Sequence, residues 1–161
     1  MGWHEQGDGK LMLGVNVEQG RVRDTEGLSL KTCLRTLVDK YNMLVKYAIE
    51  EKFGYTVWMR PPCIVRWIPG CLQEPHADKQ LNDGTPNPFP TYDINSVIYW
   101  NDDFEGGEFY YKDHNIDLKI EAGMAVAHPG DVHYLHGVKP ITSGVRWTSP
   151  AFTTILDLGD E

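Results

Sequence analysis

Two residues with metal-binding side chains, His76 and Asp78, stand two positions apart in the segment "CLQEPHADKQ". On a strand, residues i and i+2 face the same side, so an imidazole nitrogen and a carboxylate oxygen aim side by side. Alone, the pair reads more readily as solvated surface than as a site, and a third ligand has to decide. The segment "HPGDVHYLHGVKPITSGVRW" offers three candidates, His128, His133 and His136. The odd spacing of His133 and His136 sets them on opposite faces if one strand carries both. Arg146 singles out His136, because it follows across a Pro-Ile-Thr-Ser-Gly turn. If antiparallel strands flank that turn, both side chains reach one cavity, and a guanidinium there is a fork for a carboxylate. Thr148, two residues further on, adds a hydroxyl on the same side. Two histidines and one carboxylate, with open positions opposite, are the ligand set of non-haem Fe(II) that must bind oxygen.

Strands have to carry these groups. In "SLKTCLRTLVDKYNMLVKYAIEEKFG" the residues Leu30, Leu34, Leu37, Tyr41, Leu44 and Ala48 recur at three and four, which predicts one long helix over about 28–53, capped by Ser29 and ended by Gly54. After Gly54 the segments "YTVWM", "CIVRWI", "INSVIYW", "GEFYYK", "MAVAH" and "RWTSPAFTTIL" are short, β-branched and aromatic, with turn residues between them. A further short strand is expected in "LMLGVNV" near the N-terminus. The fold class is mainly β: a sandwich or barrel such as a jelly roll, buttressed by the N-terminal helix, with its core over about 55–157. "LNDGTPNPFPTYD" is a long polar loop of the kind that forms lids. With no repeat or linker, residues 1–161 read as one domain.

Totals narrow the function classes. A chain of 161 residues with 41% hydrophobic and 24% charged residues can build one full core. The net charge of −8 argues against a nucleic-acid partner, which needs a basic face. Three cysteines, Cys33, Cys63 and Cys71, form no disulfide framework and no zinc-ribbon spacing. No apolar run reaches membrane-spanning or signal-peptide length, so a cytoplasmic protein without membrane contact is expected. Asp102, Asp103, Glu105 and Glu108 read as a solvated acidic turn, and His114, His128 and His133 receive no task.

Three segments together resemble the prolyl 4-hydroxylase group of 2-oxoglutarate/Fe(II) dioxygenases: "VRWIPGCLQEPHAD", "SVIYWNDDFEGGEFYY" and "GMAVAHPGDVHYLHGVKPITSGVRW". The likeness covers roughly residues 55–154, and "NDDFEGGE" is its most specific piece. It implies a double-stranded β-helix, with His76, Asp78 and His136 as iron ligands and Arg146 paired with the far carboxylate of 2-oxoglutarate. Tyr99 and Thr148 stand where further bonds to that carboxylate are made. The implied cofactors are Fe(II) and 2-oxoglutarate, with ascorbate as a reductant, and the implied partners are oxygen and a proline-containing peptide or protein. The loop before residue 93 resembles a lid that closes over peptides. Trp67 and Gln73 replace two tyrosines common in the group, which leaves the iron chemistry intact and blurs the substrate. Hydroxylation of a prolyl residue is the leading reading. Another amino acid residue, a free amino acid, or a metal-binding jelly roll without turnover are the alternatives. Because the ligands must be unprotonated, activity is expected to fall below the ordinary histidine pKa of about 6.5.

Overall fold

A computed structural model describes residues 4–5, 11–14, 25–61 and 63–158, with side chains from residue 32 onward. The predicted helix is α1, Thr25–Phe53. It starts four residues before Ser29, which therefore does not cap it. No proline precedes Ser29 in this stretch, and adding a turn to an existing helix is cheap. Its end is as expected: Gly54 adopts φ 76° and donates its N–H to the Glu50 carbonyl.

The apolar stripe that marks α1 in the sequence is not the one that is most deeply buried. Leu37 and Leu44 are exposed, and Val38, Asn42, Val45 and Ile49 are buried. Both sets repeat at three and four, so period alone could not choose between them. The set that packs is the β-branched one, whose short, stiff side chains lie flat on a sheet. Val45 and Ile49 join Val57, Ile94 and Ile98, and Val38 joins Ile64, with Trp100 and Trp147 against them.

The strands are β1 His4–Glu5, β2 Leu11–Gly14, β3 Val57–Met59, β4 Cys63–Trp67, β5 Gln73–His76, β6 Ile94–Tyr99, β7 Phe104–Gly106, β8 Phe109–Tyr111, β9 Ile116–Leu118, β10 Ala125–Pro129, β11 His136–Val138, β12 Ile141–Gly144 and β13 Arg146–Ile155. All pairings are antiparallel among the described residues. One sheet runs β1-β2-β4-β13-β6-β10, with β3 also on β13; a second runs β5-β11-β8-β9; β12 and β7 form a short ribbon. Residues 15–17 of the predicted N-terminal strand lie outside the described residues. Strands β1, β5, β7, β9, β11 and β12 were not separately predicted; each is four residues or fewer and carries no alternation long enough to read.

Period two divides the large sheet into two buried faces. Val65, Trp67, Val97, Tyr99 and Val126 point to the second sheet and meet Phe109 and Val138 there, with Ile141 of the β12–β7 ribbon beside them. Ile64, Ile94 and Ile98 point the other way, to α1. The result is a jelly-roll sandwich with a helix on its back, as the sequence predicts. No helix among the described residues is long and apolar enough to cross a membrane.

Asn42 is the poor fit in the helix–sheet layer. It is 4% exposed and neither amide atom has a hydrogen-bond partner. Such burial costs about 1–3 kcal/mol. Asn42→Leu is expected to raise the melting temperature by roughly 3–6 °C; an unchanged or lowered value in a thermal melt contradicts this account.

Candidate active site

A cavity of about 390 Å³ opens between the two sheets, and His76, Asp78, His136, Arg146 and Thr148 all line it. The second sheet brings one half. Strand pairing sets His136 directly opposite His76, with ring centroids 4.5 Å apart. Asp78 lies just past the end of β5 rather than on it, so the i, i+2 argument does not hold as framed. Its direction comes from β10 instead: the N–H groups of Asp78 and Lys79 both donate to the Gly130 carbonyl at 3.0 Å. Gly130 must be glycine, since a Cβ there would stand 1.9 Å from the Tyr92 carbonyl oxygen. One ligand atom from each of His76, Asp78 and His136 lies within 4.8 Å of the others.

The tautomers follow from the backbone. His76 Nδ1 lies 3.0 Å from the Glu74 carbonyl and His136 Nδ1 lies 3.0 Å from the Tyr134 carbonyl. A carbonyl only accepts, so each Nδ1 carries the hydrogen and each Nε2 keeps its lone pair. Those two Nε2 atoms stand 3.7 and 3.8 Å from the Asp78 carboxylate oxygens. Asn95, 2% exposed, donates to Asp78 Oδ2 at 2.8 Å and to the Tyr92 carbonyl. Asn95 was missed in the sequence because it reads as an ordinary polar break in a strand. Gln73 donates its amide to His76 Nε2 at 3.1 Å, the same nitrogen that would bind a metal, so this bond has to yield when a metal enters.

The large sheet brings the other half. Arg146 is 1% exposed, and Trp67 and Tyr99 flank its guanidinium at 4.5 and 4.9 Å. Its Nη2 donates to the Tyr99 hydroxyl at 3.2 Å, while Nε and Nη1 have no partner. Tyr99 is fully buried behind the guanidinium rather than on the cavity wall. Thr148 lines the cavity, but its hydroxyl accepts from the Trp67 indole at 3.0 Å. His136 and Arg146 do not flank a hairpin. They sit on facing sheets, with β12 between them in the chain, and meet across the cavity.

The "NDDFEGGE" segment explains how Arg146 is held. The Asn101 side chain donates to the Val145 carbonyl at 2.6 Å and accepts from the Trp147 N–H at 2.8 Å, bracketing Arg146 on both sides. Gly107, at φ 69°, leaves space that a Cβ would fill 2.3 Å from Ile141 Cδ1 and 3.3 Å from the Arg146 stem. Asp102, Asp103 and Glu105 are exposed, as expected of a solvated turn.

His128, which had no task, is 2% exposed on the cavity wall with its ring 4.2 Å from that of His136. Burial lowers its pKa. Burial, then the neighbouring His128 and His76, lowers His136 to about 2. Cys63, also on the wall, is held as a thiol, its pKa raised to about 11 by burial. His114 and His133 do not line the cavity.

Two outcomes follow. Both buried imidazoles are neutral in the folded state and take up protons on unfolding below the ordinary pKa of about 6.5. The metal-free protein is therefore expected to be fully stabilised by them above pH 6.5 and to lose stability progressively toward pH 5. His128→Gln should flatten that slope in thermal melts; an equal slope removes His128 from the account. Asn95→Ala, which frees one Asp78 oxygen, is expected to weaken divalent metal binding by about 10–100-fold in calorimetry. Unchanged affinity would show that Asn95 does not orient Asp78.

No family model matches the chain. Human prolyl 3-hydroxylase 2 is 32% identical over 81 residues, 47% of this chain and 11% of that protein. A PKHD-type hydroxylase of Cupriavidus metallidurans is 32% identical over 95 residues, 55% of this chain and 41% of that protein. A 43-residue stretch is 42% identical to the ferredoxin sulfite reductase of Synechococcus elongatus, but that is 27% of this chain and 7% of that protein. The chain thus spans less than half the length of these curated relatives. Among solved structures, the viral collagen prolyl hydroxylase of Paramecium bursaria Chlorella virus-1 superposes with a TM-score of 0.62 at 17% identity, over 76% of this chain and 74% of that one. A prolyl hydroxylase of Trichoplax adhaerens, in complex with a hypoxia inducible factor peptide fragment, gives 0.54 at 16% identity, over 91% and 63%. The chain is therefore similar in sequence to prolyl 3-hydroxylases and PKHD-type hydroxylases, and it shares the fold of prolyl hydroxylases among the 2-oxoglutarate/Fe(II) oxygenases.

Proposed function

We propose that this chain is a single-domain 2-oxoglutarate- and Fe(II)-dependent dioxygenase that hydroxylates an unactivated C–H bond, in the leading case that of a prolyl residue in a peptide or protein. One observation carries the reading. A buried guanidinium with two unpartnered nitrogens, Nε and Nη1 of Arg146, lines the same cavity as two histidines and a carboxylate. A metal alone explains the triad and leaves the guanidinium unexplained. A dicarboxylate that chelates a metal at one end and meets an arginine at the other accounts for both.

His76 Nε2, His136 Nε2 and Asp78 suit Fe(II), because two neutral imidazoles and one carboxylate leave the metal with open positions and a residual positive charge. When bound, Fe(II) with 2-oxoglutarate supplies the oxidation: one oxygen atom enters succinate as carbon dioxide leaves, and the other becomes the substrate hydroxyl. The chain's own residues do the positioning. The Glu74 and Tyr134 carbonyls hold the imidazole tautomers, and Asn95 holds the carboxylate. Arg146 takes the far carboxylate as a fork, with Tyr99 and Trp67 fixing its plane. The apolar wall from Val65, Val97, Phe109 and Val138 excludes water from the reacting end. Ascorbate fits the reading as a reductant.

Gln73 and Trp67, neither of them a tyrosine, favour keeping a second substrate in view: another amino acid residue or a free amino acid. The loop over 78–93 suits a lid. It is folded on itself, with Leu81 donating to the Thr85 carbonyl, Asn87 to the Asp78 carbonyl and Asn82 to the Pro75 carbonyl.

The test is turnover of the anaerobically purified chain with Fe(II), 2-oxoglutarate, oxygen and a panel of proline-containing peptides, read by mass. A gain of one oxygen with matching succinate is expected. Asp78→Ala should abolish it, and Arg146→Gln should raise the KM for 2-oxoglutarate at least about tenfold. Undiminished hydroxylation by Asp78→Ala removes Asp78 from the site. Absence of succinate, with and without peptides, favours a metal-binding module without turnover.

A further inference from the structure

The cavity contains a second arginine for which the cosubstrate has no use. Arg60 lines the same cavity as His76 and Asp78. Its backbone N–H donates to the Phe152 carbonyl at 2.9 Å, which ties it to β13. Its guanidinium lies between two rings, 5.2 Å from Trp58 and 4.9 Å from Tyr92, and Nη2 donates to Thr91 Oγ1 at 3.2 Å. No carboxylate of the described residues pairs with it, and its Nε is buried without a hydrogen-bond partner. Beside it the rings of Phe89, Tyr92 and Phe152 stack in series, at 5.0 and 4.4 Å with interplanar angles of 10° and 19°. Tyr92 and Phe152 line the cavity, and Phe89 is 53% exposed, so the ladder leads from solvent into the cavity.

Resting on the dioxygenase reading, we propose that Arg60 and the Tyr92–Phe152 ladder form the substrate subsite, and that the substrate presents a carboxylate to Arg60 while an apolar ring or chain packs on the aromatic faces. Two cations in one cavity call for two anions. A single dicarboxylate that chelates a metal has one free carboxylate, and Arg146 accounts for it. In a chain of net charge −8, a half-buried arginine left without an acidic partner on a cavity wall is available to a ligand that brings the counter-charge. Rings that clamp the guanidinium hold its fork in one plane, which favours a planar carboxylate over a diffuse negative patch. Two sources share this chemistry: the main-chain carboxylate of a free or C-terminal residue, and an acidic side chain next to the residue that reacts.

Equilibrium binding without oxygen tests this without turnover. The full chain is loaded with Mn(II) and 2-oxoglutarate, and each of those affinities is measured first. N-acetylproline is then compared with N-acetylprolinamide, and blocked Pro-Glu and Glu-Pro dipeptides with their glutamine counterparts. We expect at least one acid to bind about tenfold or more tighter than its amide. Arg60→Gln should abolish that preference, Arg60→Lys should keep part of it, and 2-oxoglutarate affinity should be unchanged in both. The acid that discriminates identifies the source. If the chain binds Mn(II) and 2-oxoglutarate while acids and amides bind equally or not at all, the subsite is overturned and the dioxygenase reading stands. A loss of 2-oxoglutarate affinity in Arg60→Gln also overturns it, by assigning Arg60 to the cosubstrate. Failure to bind Mn(II) or 2-oxoglutarate at all removes both.

Discussion

A guanidinium buried to 1% exposure with no carboxylate beside it is the costly element of this structure. Arginine does not shed its proton to escape burial; burial lowers the Arg146 pKa, but the group stays charged. What the fold supplies in place of a counter-ion is weak: one hydroxyl, from Tyr99, and the faces of two rings. Much of the surrounding architecture serves to keep the side chain there. Asn101 pins the backbone on either side of it, Gly107 makes room for its stem, and the Trp67 ring is held over it by Thr148. These residues come from β4, β13 and the turns that enter and leave β7. The dicarboxylate of the proposed reading would supply the missing counter-charge.

The facing sheet has the complementary problem. It must gather two imidazoles and a carboxylate without letting them satisfy one another. Strand pairing solves half of this, because His76 and His136 are register partners and cannot drift apart while β5 and β11 stay zipped. The remaining freedom is ring rotation, and two backbone carbonyls remove it. Asp78 needs a different device since it has left the strand, and β10 supplies that through the Gly130 carbonyl and β6 through Asn95. The imidazoles are therefore fixed by their own sheet, whereas Asp78 is held by hydrogen bonds from the large sheet; those bonds and the apolar contact between sheets together set the distance from one half to the other. Phe109 stacks on His136 at 5.1 Å and packs with Trp67 and Tyr99, so the same side chain touches both halves.

This division explains what could be read in the sequence. His76, His136, Asp78 and Arg146 could be picked out because their chemistry is unusual enough to stand out at a distance, whereas His128, equally buried on the cavity wall, was passed over. Strands β3, β4, β6, β8, β10 and β13 were legible because their segments are β-branched and aromatic. The residues that orient the site were not, since Asn95, Asn101 and Gly130 each act through a neighbour's backbone or carboxylate and look like ordinary turn or strand polars until the topology is known. The His136–Arg146 relation was anticipated as a hairpin; instead the two residues sit on facing sheets and line one cavity. A sequence separation of ten residues fits either path, and only the insertion of β12 distinguishes them. The helix was legible in extent and end but not in face, because two apolar stripes with the same period run along it.

The face that α1 chooses has a consequence for the site. Val38, Val45 and Ile49 cover the outer surface of β4, β6 and β13, the strands whose inner surface carries Trp67, Tyr99 and Arg146. A strand buried on both faces cannot slip by one residue without exchanging the side chains fitted to one layer for those fitted to the other. For β13, a one-residue slip would drive Arg146 into the helix layer and Trp147 into the cavity. The cost of that error falls on both faces at once. The helix, which contributes none of the described residues that line the cavity, thus enforces the register that keeps the guanidinium pointed into it.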